Sequence, residues 1–273
     1  MRRIAWGIAG IALLWSLAGW AKPEDWGTKH RHGEVKINYW SASYLGDVNF
    51  AQEIAGVKIG ANLNLQHDLK LNNPQPAPEL VVDLRPTKHN RVYLSYFQSR
   101  YLGVNNQPGE TLPFLGSRFT GEVETTLTVN RFKAFYQYSP LALKRGYLGV
   151  LVGANYYGYE LELKGLVNGT SLRAHETARF PLLIPVAGVS GQCTLLYGLG
   201  LFGQASGMEL KVGGVDASYL DFLGGVQFKV SRLYASVGYQ VLRGTLDMDL
   251  NGGKTARFDL SQQGVIASLG VNL

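Results

Sequence analysis

The sequence predicts an all-β chain: an N-terminal signal peptide followed by one antiparallel, up-and-down transmembrane β-barrel. Three observations carry that prediction. The chain opens on a basic, then apolar, then small-residue segment. Alternating apolar and polar residues recur through everything that follows, which is the period of a half-buried strand. The composition, with 34 Gly, 15 Tyr and 11 Phe, favours strands rich in aromatics over helices.

The opening segment has Arg2 and Arg3, then an uncharged run over 4–20, with Gly19 and Ala21 at the −3 and −1 positions of a cut after Ala21. Polar Lys22-Pro23-Glu24-Asp25 follows, as in a secretory signal peptide. The run is short for an uncleaved anchor. Trp20 stands where a lipoprotein needs its lipid-bearing cysteine. The expected division is therefore 1–21 as signal peptide and 22–273 as a single barrel domain.

The formal net charge is +6, of which Arg2 and Arg3 supply two. The remainder is too small an excess to suggest a nucleic-acid partner. Cys193 is the one cysteine, so neither an intramolecular disulfide nor a cysteine-based metal site is available. Segment 180–208 carries no charge and is long enough to span a bilayer as a helix. It also contains Pro181, Pro185 and six glycines, each costing a helix interior about 1 to 3 kcal/mol. Two strands joined by a turn at 196–198 fit better.

The alternation is clearest in 157–164, where Tyr157, Tyr159, Leu161 and Leu163 oppose Gly158, Glu160, Glu162 and Lys164. It recurs in 242–250 and in 119–129, the latter setting Val123, Leu127 and Val129 against Glu122, Glu124 and Thr128. In a lipid-facing barrel, the apolar side of such a strand faces out and the charges line the lumen. In five segments the apolar side changes parity partway along. Tyr39 hands over to Trp40, Tyr96 to Phe97, Tyr156 to Tyr157, Ala205 to Met208, and Val241 to Leu242. One extra residue in a strand produces such a switch, so these predict five β-bulges at a common level. Return strands are expected near 79–85, 118–138, 180–195, 217–230 and 256–273. The count is about ten strands, with eight or twelve as neighbouring possibilities, because 57–65 also alternates. Short turns then fall at one end and longer connections at the other, the usual periplasmic and external asymmetry. Both termini are expected in the periplasm.

The aromatic-rich strands and unequal loops resemble the small outer-membrane barrels of the OmpA/OmpW type. Pro78-Glu79-Leu80-Val81-Val82-Asp83-Leu84-Arg85-Pro86, followed by Arg91-Val92-Tyr93-Leu94-Ser95-Tyr96, resembles a hairpin in a broad group of uncharacterised outer-membrane barrels. The resemblance implies an outer-membrane location, contact with its lipids and lipopolysaccharide, and delivery by the barrel-assembly machinery. It implies no particular chemistry. Such proteins usually end in Phe or Trp, whereas this chain ends in Leu273 behind the alternating Val265, Ala267, Leu269 and Val271.

For chemistry, the acid/base candidates are His67-Asp68, His175-Glu176, Asp247 and Asp249, which a rim-active hydrolase would need near the outer mouth. A histidine beside an acid in a loop is ordinarily solvated, and no catalytic motif accompanies either pair. His30 and His32 sit in a basic lead-in and are expected to be hydrated, so no metal or cofactor is expected. The lumen is more informative. Asp83, Arg85, Arg100, Glu122, Glu124, Arg131, Lys133, Glu160, Glu162, Asp221, Arg243, Asp247 and Asp249 are the residues expected to point inward as a charge network. In a narrow barrel, charges of both signs pair and fill the interior; the alternative is a thin polar pore for a small solute. The expected function is a non-enzymatic integral barrel, structural or a narrow conduit. A rim-active hydrolase and a binding or adhesion protein using the connection 51–78 stand as alternatives.

Overall fold

The computed structural model describes residues 33–54, 57–71, 75–106, 111–114, 117–143, 145–167, 173–196, 198–212, 214–250 and 254–273. The expected signal peptide, His30 and His32 lie outside the described residues. The strands are β1 (Gly33–Ile54), β2 (Val57–Asn64), β3 (Gln75–Leu84), β4 (Asn90–Asn105), β5 (Thr111–Phe114) and β6 (Ser117–Leu143). They continue with β7 (Gly146–Val167), β8 (Arg173–Leu196), β9 (Leu199–Val212), β10 (Val215–Val230), β11 (Leu233–Leu250) and β12 (Lys254–Asn272).

Ten of these form the wall of a closed antiparallel barrel: β1, β3, β4 and β6 to β12. Closure comes from β1 pairing with β12, from Glu34 opposite Asn272 to Gln52 opposite Lys254. The other two strands are extensions. β2 folds back on the distal half of β1, and β5 on the start of β6. The alternation over 57–65 is thus a hairpin on the wall, and 180–208 is two strands with a turn between them. Residues 33 and 273 lie together at one end, the terminal end, where the Leu273 amide donates to the Gly33 carbonyl. Short turns join strands there, and the long excursions crowd the opposite, loop end.

The five predicted bulges are absent. Pairing runs without a register shift through Tyr39/Trp40, Tyr96/Phe97, Tyr156/Tyr157, 205–208 and Val241/Leu242. The shifts present in the wall lie near strand ends, at Thr120/Val123, Tyr138/Leu141 and Thr194/Leu196. What changes at the handover is the surroundings, not the backbone. β6 shows this in one strand. Arg131, Lys133, Phe135 and Gln137 are buried inside, while Phe132, Tyr136 and Tyr138 are exposed outside. Farther along, Val123, Leu127 and Val129 are inside and Glu122 and Glu124 outside, with parity unbroken.

Near the terminal end the outer face is an apolar belt that includes Ile37, Leu80, Val150, Val152, Val237 and Leu269. Tyr39, Tyr96, Phe132, Tyr156 and Tyr239 stand on its distal edge. An exposed apolar band edged by aromatics is what a bilayer covers. On β7 it runs from Leu148 to Tyr156, about 26 Å along the strand at the usual rise. Beyond that edge the outer face meets water and turns polar. The inner face turns apolar because the protruding part of the barrel needs a core, as any soluble sheet does.

That distal core joins residues from around the wall, including Tyr44, Tyr101, Leu127, Leu161, Ile184 and Leu242. The segment after β2 completes it. Leu65, Leu69 and Leu71 are buried in the same cluster, so the turn at 65–71 lies in the barrel rather than above it. It is held by the Asn105 side chain donating to the Asp68 carbonyl at 2.9 Å and by a bridge from Leu71 to Gly103. Gly103 permits this approach, since a Cβ there would stand 2.0 Å from the Leu69 carbonyl oxygen.

Candidate functional site

The interior is layered, and its polar layers lie at the level of the apolar belt. The middle layer is built by β3, β6 and β10. Alternation aims Glu79, Arg131, Lys133 and Asp221 inward because Leu80, Phe132 and Leu220 occupy the lipid-facing positions between or beside them. Lys133 Nζ meets Asp221 Oδ2 at 2.5 Å, an ion pair between strands four places apart in the ten-stranded wall. Gln240 donates to the other Asp221 oxygen at 2.7 Å. Arg131 meets Glu79 at 3.2 Å, and Glu79 also accepts from Asn38 at 2.7 Å and Ser95 at 2.8 Å. The Arg131 guanidinium lies between Trp40 and Phe97, 4.8 Å from each ring centroid. A desolvated cation–π contact contributes about 2 kcal/mol. The four charges are each at most 4 % exposed and sum to zero, so the layer is a neutral crossbar.

Distally the bar continues into hydrogen-bonded tyrosines. Tyr219 accepts from Asn155 at 3.0 Å and shares a 2.9 Å bond with Tyr157; Tyr44 donates to Tyr159 at 3.0 Å. Gln262 reaches Tyr101 across the interior at 3.1 Å. The apolar core with the turn at 65–71 follows directly.

Toward the terminal end a second polar layer gathers Glu34, Lys36, Asp83, Arg85, Arg91 and Lys229. Glu34 is surrounded by Lys36 at 3.5 Å, Lys229 at 3.7 Å and Arg85 at 3.8 Å. Asp83 is paired with Arg91, whose Nε donates at 2.7 Å, and with Arg85 at 3.1 Å. Arg91 also donates to the Tyr147 hydroxyl.

Of the residues expected to face inward, Asp83, Arg85, Arg131, Lys133 and Asp221 do so, and the structure joins them in these two layers. Arg100, Glu122, Glu124, Glu160, Glu162, Arg243 and Asp247 are instead on the outer surface. The side chain of Asp249 lies outside the described residues. The misplaced charges all come from beyond the apolar belt, where the outer face is wet. Two of them pair there with exposed arginines: Glu160 with Arg179 at 3.0 Å, and Asp247 with Arg257 at 3.7 Å. Leu161 and Leu246, expected against lipid, pack in the core, and Thr128 stands outside. The sequence reading missed Glu34, Lys36, Glu79, Arg91 and Lys229. The signal was available in β1, where Glu34, Lys36 and Asn38 alternate with Val35, Ile37 and Tyr39.

The histidine pairs serve as local struts. His67 Nδ1 lies 2.9 Å from Asp68 Oδ1, but the other Asp68 oxygen accepts from the Asn64 amide at 2.7 Å, fixing the turn. His175 contacts Glu162; its Nε2 is 2.6 Å from the Glu162 oxygen that Lys164 approaches at 2.8 Å. The hydrogen-bonded Lys164 ammonium, with His175 behind it, holds the Glu162 carboxyl below its usual range. An oxygen shared by two donors is a poor general base. Among the described residues, no cluster of three His, Cys, Asp or Glu is arranged to hold a metal ion.

No protein-family model and no curated sequence matches the chain. Solved structures do. The outer-membrane protease OmpT from Escherichia coli aligns at a TM-score of 0.53 with 11% identity, covering 88% of this chain and 97% of that one. The translocator domain of the autotransporter NalP from Neisseria meningitidis aligns at 0.44 with 11% identity, covering 100% and 98%. The chain has the fold of the bacterial outer-membrane β-barrels.

Proposed function

We propose that this chain is a non-enzymatic integral outer-membrane barrel with a closed lumen and both termini in the periplasm. Its role is structural, as a membrane-embedded scaffold, rather than that of a conduit. The observation that carries this reading is the crossbar of Lys133–Asp221 and Glu79–Arg131, buried at the level of the apolar belt and capped by the distal apolar core. A permeating solute would have to break desolvated ion pairs and then cross a dry layer, each step costing several kcal/mol. The belt supplies the contact with lipid, and short turns at the terminal end match the periplasmic side of such barrels. β12 presents Val265, Leu269 and Val271 outward, as a strand handed into a bilayer by assembly machinery requires.

Purified protein in planar bilayers is expected to show no steady conductance under applied voltage. Stable, ion-selective current steps from the unmodified protein would overturn the closed lumen and make the barrel a pore.

A further inference from the structure

The polar layer at the terminal end is not neutral. Around Glu34 and Asp83 stand four cations, Lys36, Arg85, Arg91 and Lys229, so the cluster carries a formal excess of two positive charges. Four of the six, Glu34, Lys36, Arg85 and Arg91, line a cavity of about 60 Å³ together with Gln227 and others, so the lining by itself keeps the excess of two positive charges. At roughly 10–15 Å³ per water, that space holds four to six waters, the size of a tetrahedral oxyanion. Among the residues lining the cavity, two buried side-chain N–H donors are without a protein acceptor. One is Arg85 Nε and the other Gln227 Nε2, on a side chain 3 % exposed. The lining also holds two acceptors without a hydrogen-bond donor, Asn38 Oδ1 and Glu34 Oε2, the latter ion-paired at 3.7 Å with Lys229 and 3.8 Å with Arg85.

The approach to the cavity has the same sign. The described residues joining strands at the terminal end, 85–89, 145, 198 and 231–232, include Arg85, Lys88, Arg145 and Arg232 and no Asp or Glu. A mouth ringed by one sign of charge draws in the opposite one. The crossbar closes the far side, so an anion entering here has one way out.

We propose that this cavity is a binding site for a small dianionic oxyanion, inorganic phosphate being the simplest. A charge of minus two matches the cluster's excess. Arginine and amide N–H groups suit phosphate oxygens, and guanidinium–phosphate bonds are charge-assisted. The cavity lies inside the barrel wall and has no room for acyl chains, which points to the free anion rather than a lipid headgroup. The inference goes beyond the closed scaffold, because binding at one mouth and conduction through the barrel are measured separately.

The test is calorimetric titration of the purified barrel in non-ionic detergent with inorganic phosphate. Dihexanoyl phosphatidic acid serves as the headgroup control. Saturable one-site binding of phosphate is expected, weakened at least tenfold by Arg85→Gln and also by Gln227→Met, a neutral change that removes one donor. Far-ultraviolet circular dichroism and gel mobility before heating confirm that both variants are folded. Should Arg85→Gln fail to fold, Gln227→Met decides. Absence of saturable phosphate binding, or binding unchanged in the folded variants, would overturn the proposal. Tighter binding of the phosphatidic acid than of phosphate would overturn the assignment to a free anion.

Discussion

Arg131→Ala is expected to destabilise the folded barrel by about 3–5 kcal/mol, as removing one partner of a buried ion pair does. The loss has three parts in this structure. Glu79 would keep only the Asn38 and Ser95 donors for a charge buried at 2 % exposure. Trp40 and Phe97 would lose the guanidinium packed between them. The Lys133–Asp221 pair would remain in a layer that is no longer neutral. Denaturant unfolding in lipid vesicles measures the difference. The double change Glu79→Gln with Arg131→Met should cost less than Arg131→Ala alone, because it leaves no orphaned charge. Arg243→Ala, on the wet outer face, should change stability by no more than about 0.5 kcal/mol. Equal effects of Arg131→Ala and Arg243→Ala would remove the crossbar from the account.

The second large effect lies on β7. Val152→Arg puts a charge into the apolar belt and is expected to cost about 2–4 kcal/mol if it sits near the bilayer midplane. Leu161→Arg should be at least as damaging although its side chain points the opposite way, since it buries an unpaired charge in the distal core. Leu161→Ala should still cost about 2–5 kcal/mol as a cavity, a penalty that a lipid-facing leucine would not incur. Thr128→Arg, on the outer face of β6 beyond the belt, should be tolerated within about 0.5 kcal/mol. The same unfolding assay reads all four variants. A tolerated Leu161→Ala would contradict the inward placement of that residue.

These variants also show where the sequence could be read and where it misled. The barrel, its ten wall strands and the turns at 86–90 and 231–232 were legible, because a period of two and turn residues are local properties. The crossbar was half legible. Lys133 and Asp221 could each be assigned an inward side, but nothing local announces that strands 88 residues apart bring them to 2.5 Å. The facing of Glu160 and Glu162 was not legible from alternation alone. Alternation separates two faces of a strand without saying which is inside, and that assignment depends on what lies outside. Where Tyr156 gives way to Tyr157, the outer medium changes from lipid to water and the apolar side changes with it. A bulge and a membrane edge leave the same trace in sequence. The five traces were read as bulges, although their common level also fits a membrane edge, since one plane cuts every strand.

The apolar belt ends at this handover, and β7 crosses it without a bulge. The most direct measurement is a spin-label scan of single cysteines along β7, at positions 152, 156, 160, 161, 162 and 163. The background is Cys193→Ser, because Cys193 is exposed. Labels at 152 and 156 should be accessible to oxygen dissolved in lipid, and labels at 160 and 162 to a water-soluble nickel chelate. Labels at 161 and 163 should be immobile and reached by neither. Lipid accessibility at 161 and 163, with 160 and 162 sequestered, would restore the bulge and contradict the unbroken strand.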